Sequence, residues 1–150
     1  LGPEAAVHSL RDVLACGRFH PGIGDNLRQA IALDSEGLEY LRRLREQEQL
    51  RRNLLKIMAQ HKLDAFVFPH QQGLVVKIGQ TQVGRNGVLA SVVGFPSIAI
   101  PAGFSTPTTT APLGVPIGIE FIGRPWSEYR LLEIAAALEQ ARPVRVPPQL

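Results

Sequence analysis

Three short runs of apolar residues predict the strands of a covered sheet. The runs are DAFVFP (64–69), SIAIP (97–101) and IGIEFI (117–122). A strand that is buried on one face alternates apolar and polar residues, whereas a nearly continuous apolar run is typical of a strand covered on both faces. Prolines and glycines flank the runs, and these residues interrupt regular structure. The pattern therefore predicts three strands covered by helices.

Apolar residues at helical spacing predict helices around these strands. Pro3 and Gly17 bracket the first helix, in the order in which proline begins and glycine ends a helix. The predicted helices cover residues 4–16, 26–33 and 36–62, a short stretch within 84–94, and 128–141. Because helices precede, separate and follow the strands, the sequence predicts an α/β fold with a mostly covered sheet.

The last predicted helix has the clearest boundaries. Ser127 is placed to cap its first turn, and Pro143 follows its end. Its apolar stripe is predicted to be buried and consists of Leu131, Leu132, Ala135 and Leu138.

Size and composition exclude several classes of protein. The chain has 150 residues, of which 45% are hydrophobic, so one domain with one core is expected. The single cysteine excludes an internal disulfide and favours a reducing compartment such as the cytoplasm. Without an apolar run of 18 residues the sequence predicts no membrane partner. Its four histidines show no metal-ligand spacing and there is no phosphate-binding glycine loop, so we expect neither metal nor cofactor.

A basic segment, 40–62, raises the question of a nucleic-acid partner. Glutamates alternate with its arginines at helical spacing, as in the i, i+4 pairs Glu39–Arg43 and Glu48–Arg52. Such pairs are typical of a solvated helix face. The sequence therefore favours a charged surface helix over a nucleic-acid interface.

Glycines and prolines around the last two strands form a specific pattern. Residues 94–103 read G-x-P-S-I-x-I-P-x-G, residues 113–128 read LGVPIGIEFIGRPWSE, and LLEIAAALE follows at 131–139. Taken together, these motifs resemble the C-terminal portion of the amidase signature family, and DAFVFP is similar to that family's D-A-x-x-x-P strand. The resemblance extends from Asp64 to about Arg142, whereas residues 1–63 share only the general layout of helices.

The resemblance implies a fold and a domain organisation. Members of the family are single-domain α/β proteins with a large mixed sheet layered by helices, and this chain is expected to supply the last strands. The expected segments are a helical one at 1–63, one with the family motifs at 64–142, and a proline-rich tail at 143–150. Relatives commonly carry an asparagine at the position of Ser91. We therefore do not expect this chain to make the contacts of that asparagine side chain.

The catalytic residues of the family have no counterpart in this sequence. The resemblance implies amide hydrolysis by a serine nucleophile, a bridging serine and a lysine base in a Gly/Ser-rich loop. The chain has no adjacent serines and no Gly-Gly pair. We therefore expect no catalytic residue in it. We expect instead a C-terminal fragment, inactive alone, whose partners are the N-terminal part of the amidase domain and a small amide substrate.

Two polar segments are candidates for the substrate site. In relatives, the loop after the D-A-x-x-x-P strand and the segment before G-x-P lie near the substrate pocket. The matching residues are His70, Gln71, Gln72, Arg85 and Asn86. An alternative interpretation is that QQG and RNG are ordinary turns, since Asn-Gly is a strong turn dipeptide.

Two further hypotheses remain open at the level of sequence. The chain could be a non-catalytic binding or assembly module that reuses amidase-like strands, and its unpaired strand edges would then favour homo-oligomers or strand swapping. Alternatively, it could be part of the A-type component of a tRNA-dependent amidotransferase, which is a class within the same family.

Overall fold

The computed structural model of the chain describes residues 2–33 and 35–147, which form two compact units that divide between Glu46 and Gln47. The described elements, in chain order, are α1 (Leu10–Cys16), a 3-10 turn (Pro21–Ile23), α2 (Gly24–Ala32), α3 (Leu38–Gln60), β1 (Ala65–Pro69), α4 (Val88–Val93), β2 (Ser97–Phe104), β3 (Pro116–Gly123) and α5 (Glu128–Ala141). The α/β class predicted from the sequence is confirmed.

The first unit contains α1, α2 and the beginning of α3. α1 begins at Leu10, later than the predicted residue 4, because Ser9 Oγ accepts a hydrogen bond from Asp12 N at 3.1 Å. The Asp12 carboxylate in turn accepts a bond from His8 N at 2.9 Å. This reciprocal cap defines the first turn. The bond from His8 N, followed by that from the Ser9 side chain, lowers the pKa of Asp12.

The charged helix α3 carries ion pairs along its surface, as its sequence predicts. Arg43 Nε lies 2.9 Å from Glu39 Oε1, and Arg52 Nε lies 3.7 Å from Glu48 Oε1. Hydrogen bonds from Arg42 and then from Arg43 lower the pKa of Glu39. These arginines are thus paired with carboxylates of their own helix, which is typical of a solvated face.

The three strands of the second unit form an antiparallel sheet in the order β1-β3-β2. The central strand is therefore β3, the last in sequence. Glu120 of β3 lies opposite Phe68 of β1 and Ala99 of β2. Because side chains alternate between the faces of a strand, Glu120 and Ile122 share one face, and Phe121 points to the other.

Helices pack on both faces of this sheet. On one face, α5 and the strands bury a cluster formed by Ile100, Phe121, Leu131 and Ala135. On the other face, α4 and the residues that follow it bury a cluster formed by Ala90, Val93, Phe95 and Ile122, against which Leu54 and Leu55 of α3 also pack. The sheet is therefore the middle layer of the second unit.

Coverage of the sheet is incomplete at its β1 edge. Val67 of β1 is 56% exposed, although the sequence predicted a strand covered on both faces. Helix α5 packs on β2 and β3 and leaves this position uncovered. The apolar run was therefore a correct indicator of a strand but not of its burial.

Helix α5 spans the predicted residues but differs in two details. Ser127 occupies the N-cap position, yet its hydroxyl donates to Arg124 O at 2.7 Å and makes no side-chain cap. Leu132 is 59% exposed, although it was predicted to belong to the buried stripe of Leu131 and Ala135. The buried stripe of α5 is therefore narrower than the sequence predicts.

Two glycines shape the connection between β2 and β3. Gly103, at φ 137°, lies at a register shift between Pro101 and Gly103, which confirms that this position needs a conformation that other residues resist. Gly114, at φ 81°, packs so closely that a Cβ atom would lie 2.2 Å from Ser105 O.

Within residues 2–33 and 35–147, no helix is both long and apolar enough to cross a membrane. The same residues contain no group of three or more His, Cys, Asp or Glu side chains that could hold a metal ion.

Candidate functional site

The two polar segments predicted from the sequence lie side by side after β1. Gln71 and Arg85 form an antiparallel bridge, and Gln72 N donates to Gly84 O at 2.8 Å. Asn86 N donates to His70 O at 3.0 Å. Tertiary structure therefore brings all five candidate residues into one small ladder.

Asn86 holds this ladder together through its side chain. Its Nδ2 donates to Pro69 O at 2.9 Å, and its Oδ1 accepts a bond from Gln72 Nε2 at 3.1 Å. Both polar atoms of the amide are thus used within the turn. This geometry agrees with the interpretation of RNG as a structural turn, and the pocket contacts predicted for Asn86 and Gln72 stay predictions.

His70 follows the last residue of β1 and contacts the central strand. Its Nδ1 lies 2.9 Å from Oε2 of Glu120, and the two residues are 50 positions apart in sequence. The Glu120 side chain is 4% exposed, whereas that of His70 is 44% exposed. The imidazole therefore joins a buried carboxylate to the surface.

Gly87 has no side chain, and the His70–Glu120 pair occupies the space in which one would lie. A Cβ atom at Gly87 would lie 2.1 Å from His70 Cε1, 2.5 Å from His70 Nδ1 and 2.9 Å from Glu120 Oε2. Real Cβ atoms do not approach other atoms this closely. A side chain at position 87 is therefore incompatible with the position of the imidazole.

Sequence reasoning missed Glu120 as a site residue. A signal was present, because Glu120 is the one charged residue in the apolar run IGIEFI. A charge inside a covered strand needs a partner, since burial of an unpaired charge is costly. The sequence could not name the partner, which lies on a loop beyond another strand.

Two clefts meet at His70. The larger has a volume of about 530 Å³ and is bordered by the loop of residues 69–75 and by Ala99 and residues 116–118. The smaller has a volume of about 430 Å³ and is bordered by His70, Arg85, Gly87, Val88, Ser91 and Val92. Volumes of this size fit small organic ligands.

The remaining candidates differ in their surroundings. Arg85 is exposed and borders the smaller cleft, together with Ser91. Gln71 borders the larger cleft, and its Oε1 is buried without a hydrogen-bond partner in the described residues. A buried amide oxygen without a partner is unusual in a folded protein. Polar groups with spare hydrogen-bonding capacity thus lie beside both clefts.

Comparison with known proteins relates most of the chain to one family. The family described as Amidase matches residues 22–132, which begins well before the motifs that start at Asp64. The fatty acid amide hydrolase of Arabidopsis thaliana is 37% identical over 70 residues, 47% of this chain and 10% of that protein. The mandelamide hydrolase of Pseudomonas putida is 35% identical over 91 residues, 55% of this chain and 17% of that protein.

A solved structure shares the fold. The crystal structure of PAM12A superposes with a TM-score of 0.69 at 31% sequence identity, over 93% of this chain and 29% of that chain. The chain thus spans less than a fifth of the curated relatives named above and less than a third of the solved one.

Proposed function

This chain belongs to the amidase family, and from that premise we propose that it is the C-terminal portion of an enzyme that hydrolyses the C–N bond of carboxamides. The order of its motifs supports this C-terminal position. The D-A-x-x-x-P strand, the G-x-P turn and the final helix follow one another over 64–142. The nucleophile and base would then lie in a preceding segment of the same domain.

Three of the six serines of the chain have structural roles that fit this proposal. Ser9 caps α1, Ser105 Oγ accepts a bond from Val115 N at 2.9 Å, and Ser127 Oγ donates to Arg124 O at 2.7 Å. An activated serine needs a base within hydrogen-bond reach. These three hydroxyls bond to backbone groups instead.

The two unpaired edges of the sheet are consistent with further strands from the same domain. In the described residues, β1 and β2 each pair only with β3, so each has one edge without a strand. Unpaired edges favour pairing with further strands. We propose that the remaining N-terminal part of the amidase domain supplies them, and that His70, Gln71, Gln72, Arg85 and Asn86 border the substrate pocket of the complete enzyme.

Ammonia release from simple amides tests the catalytic part of this proposal. The 150-residue chain alone is expected to release none, and a longer product that includes the Gly/Ser-rich loop is expected to turn over. Turnover by the chain alone that is abolished by a serine-directed reagent would contradict it.

A further inference from the structure

The buried carboxylate of Glu120 is a feature that the proposed function does not use. Glu120 is 3% exposed, on the sheet face that also packs against α4. An ionised carboxylate in such a place needs a hydrogen-bond donor, because its charge is removed from water. The donor within reach is His70 Nδ1, at 2.9 Å from Oε2.

This contact selects one tautomer of His70. An ionised carboxylate only accepts hydrogen bonds, so the nitrogen that faces it carries the hydrogen. In a neutral imidazole with Nδ1–H, the other nitrogen, Nε2, has a free lone pair and acts as an acceptor. Glu120 therefore determines which atom His70 offers to a ligand.

The backbone around His70 is held in place from both sides. His70 O accepts bonds from Asn86 N at 3.0 Å and from Gly87 N at 3.3 Å, and His70 N donates to Gly118 O at 3.4 Å. Gly87 adds a steric limit, because its bare Cα allows the ring to lie against it. The imidazole is thus positioned before any ligand arrives, which reduces the entropy lost on binding.

The free nitrogen of His70 is available to a ligand. Nε2 makes no hydrogen bond within the described residues, and the side chain is 44% exposed. The ring borders the 530 Å³ cleft, whose other lining includes the apolar residues Leu74, Val75, Pro116 and Ile117. An apolar cleft with a few placed polar groups is the usual form of a small-molecule site.

We propose that Glu120 is a positioning residue that holds His70 as the Nδ1–H tautomer, and that His70 Nε2 accepts a hydrogen bond from the N–H of an apolar carboxamide in this cleft. The ligand class rests on the proposed function, because carboxamides are the substrates proposed for the intact enzyme. The tautomer does not depend on that function. The two parts are therefore tested separately.

Long-range proton–nitrogen NMR of the nitrogen-15 labelled chain tests the tautomer. In its neutral form, His70 is expected to show a hydrogen on Nδ1 and none on Nε2. His20 is an internal reference, because its Nδ1 accepts a bond from Gly22 N at 3.1 Å and must carry the opposite tautomer. A His70 spectrum of the His20 type would overturn the proposal, and this measurement needs no variant.

Glu120→Gln tests the role of the carboxylate. A glutamine amide can donate or accept, so the variant is expected to shift His70 away from the pure Nδ1–H tautomer. The matched control is Glu133→Gln, which alters an exposed carboxylate on α5 that pairs with Arg130. An unchanged His70 tautomer in a folded Glu120→Gln variant would overturn the positioning role. Should that variant not fold, the wild-type spectrum decides.

Hexanamide and N,N-dimethylhexanamide test the ligand class, since the second lacks the amide N–H. Hexanamide is expected to shift the His70 Nε2 resonance saturably, and to bind about tenfold more tightly than the dimethyl compound, as expected for one hydrogen bond. His70→Phe is expected to remove the difference between the two. Equal affinities, or no change at His70 with either amide, would overturn the assignment of Nε2 as the acceptor.

These outcomes are distinct from failure of the proposed function. If the longer protein releases no ammonia but His70 keeps its tautomer and its preference for the primary amide, the enzymatic proposal fails and the binding site stands. If ammonia is released while His70 shows no preference, the enzymatic proposal stands and the inference about His70 fails.

Discussion

Individual glycines in this protein are required by their neighbours as much as by their backbone angles. Gly87 has an ordinary negative φ of −66°, so nothing in its own backbone excludes a side chain. Its requirement comes from the His70–Glu120 pair, which fills the space of its missing Cβ. Gly114 combines both causes, since it has φ 81° and a carbonyl oxygen in contact.

Gly87→Ala is expected to displace the His70 ring and to lower the free energy of unfolding by about 1–3 kcal/mol, because an added methyl group overpacks the site. Urea unfolding measures the loss, and His70 NMR shifts report the displacement. Gly73→Ala is the matched control in the same loop, as a Cβ there would meet no atom within 4 Å. Equal stability of the two variants would contradict this account of the site.

Gly114→Ala and Gly79→Ala separate backbone strain from contact. Both glycines have positive φ, 81° and 89°, but of the two only Gly114 has a close neighbour, because a Cβ atom there would lie 2.2 Å from Ser105 O. Strain alone is expected to lower the free energy of unfolding by about 1–2 kcal/mol in each variant. The contact is expected to add about 1–3 kcal/mol at position 114. Urea unfolding of both variants measures the difference, and no difference would exclude the contact.

At the scale of elements, capping hydrogen bonds define some of the helix ends. The end of α3 is an example, because Leu63 N donates to Met58 O at 2.8 Å and Lys62 N to Ala59 O at 3.3 Å. Lys62 has φ 53°, the left-handed conformation of this type of helix end. Arg124 Nη2 also donates to Met58 O at 3.2 Å and to Leu63 O at 3.0 Å. Carbonyl groups at the end of α3, which have no partner within the helix, thus accept hydrogen bonds from other residues of the second unit.

Lys62→Gly is expected to raise the free energy of unfolding by about 0.5–1 kcal/mol, because glycine adopts positive φ without the steric cost that lysine has there. Thermal or urea unfolding measures the gain. Lys62→Ala is the control, since it removes the same charge but keeps a Cβ, and it is expected to give no gain. A stabilising Lys62→Ala would show that charge, and not conformation, is the cause.

The ion pair between Asp64, which precedes β1, and Arg130 of α5 is expected to contribute little to stability. Arg130 Nη2 lies 3.0 Å from Asp64 Oδ2, and their side chains are 51% and 60% exposed. Exposed pairs contribute up to about 1 kcal/mol and are screened by salt. Asp64→Asn is therefore expected to lower the free energy of unfolding by less than about 1 kcal/mol, with a smaller loss at high salt. A loss several times larger in urea unfolding, or one insensitive to salt, would contradict a surface role for this pair.

For the molecule as a whole, the open edges of the sheet are the main structural feature. β1 and β2 each lack a strand on one side in the described residues, and Val67 of β1 is 56% exposed. Such edges favour association with other strands. The proposed N-terminal part of the domain would cover them in the intact enzyme, and a second copy of the chain could cover them in its absence.

The chain alone is expected to self-associate in a concentration-dependent manner, which light scattering measures. Val67→Lys is expected to weaken the association, because a lysine on an edge strand opposes pairing with a further strand. Val83→Lys is the matched control, since Val83 is 72% exposed but lies outside the strands. A clean monomer at high concentration would contradict the expectation and favour an independently folding module.

The sequence by itself determined the elements and the family. Apolar runs and helical spacing are local properties, so β1, the strand at 117–122 and the helix at 128–141 were predicted close to their observed bounds. The glycine and proline motifs are also local, and they identified the family that the comparison confirms. The candidate residues at 70–72 and 85–86 were named by position in those motifs, without knowledge of their contacts.

Only the tertiary structure decided how these elements combine. Periodicity does not state which strands pair, so the central position of β3 and the exposure of Leu132 and Val67 could not be read from it. The His70–Glu120 contact joins residues 50 positions apart, and the clearance at Gly87 depends on both. Such contacts arise because a sheet brings together segments that are distant in sequence. A charge that is buried in this way needs a partner, and the partner needs space, so neither requirement can be read from one segment alone.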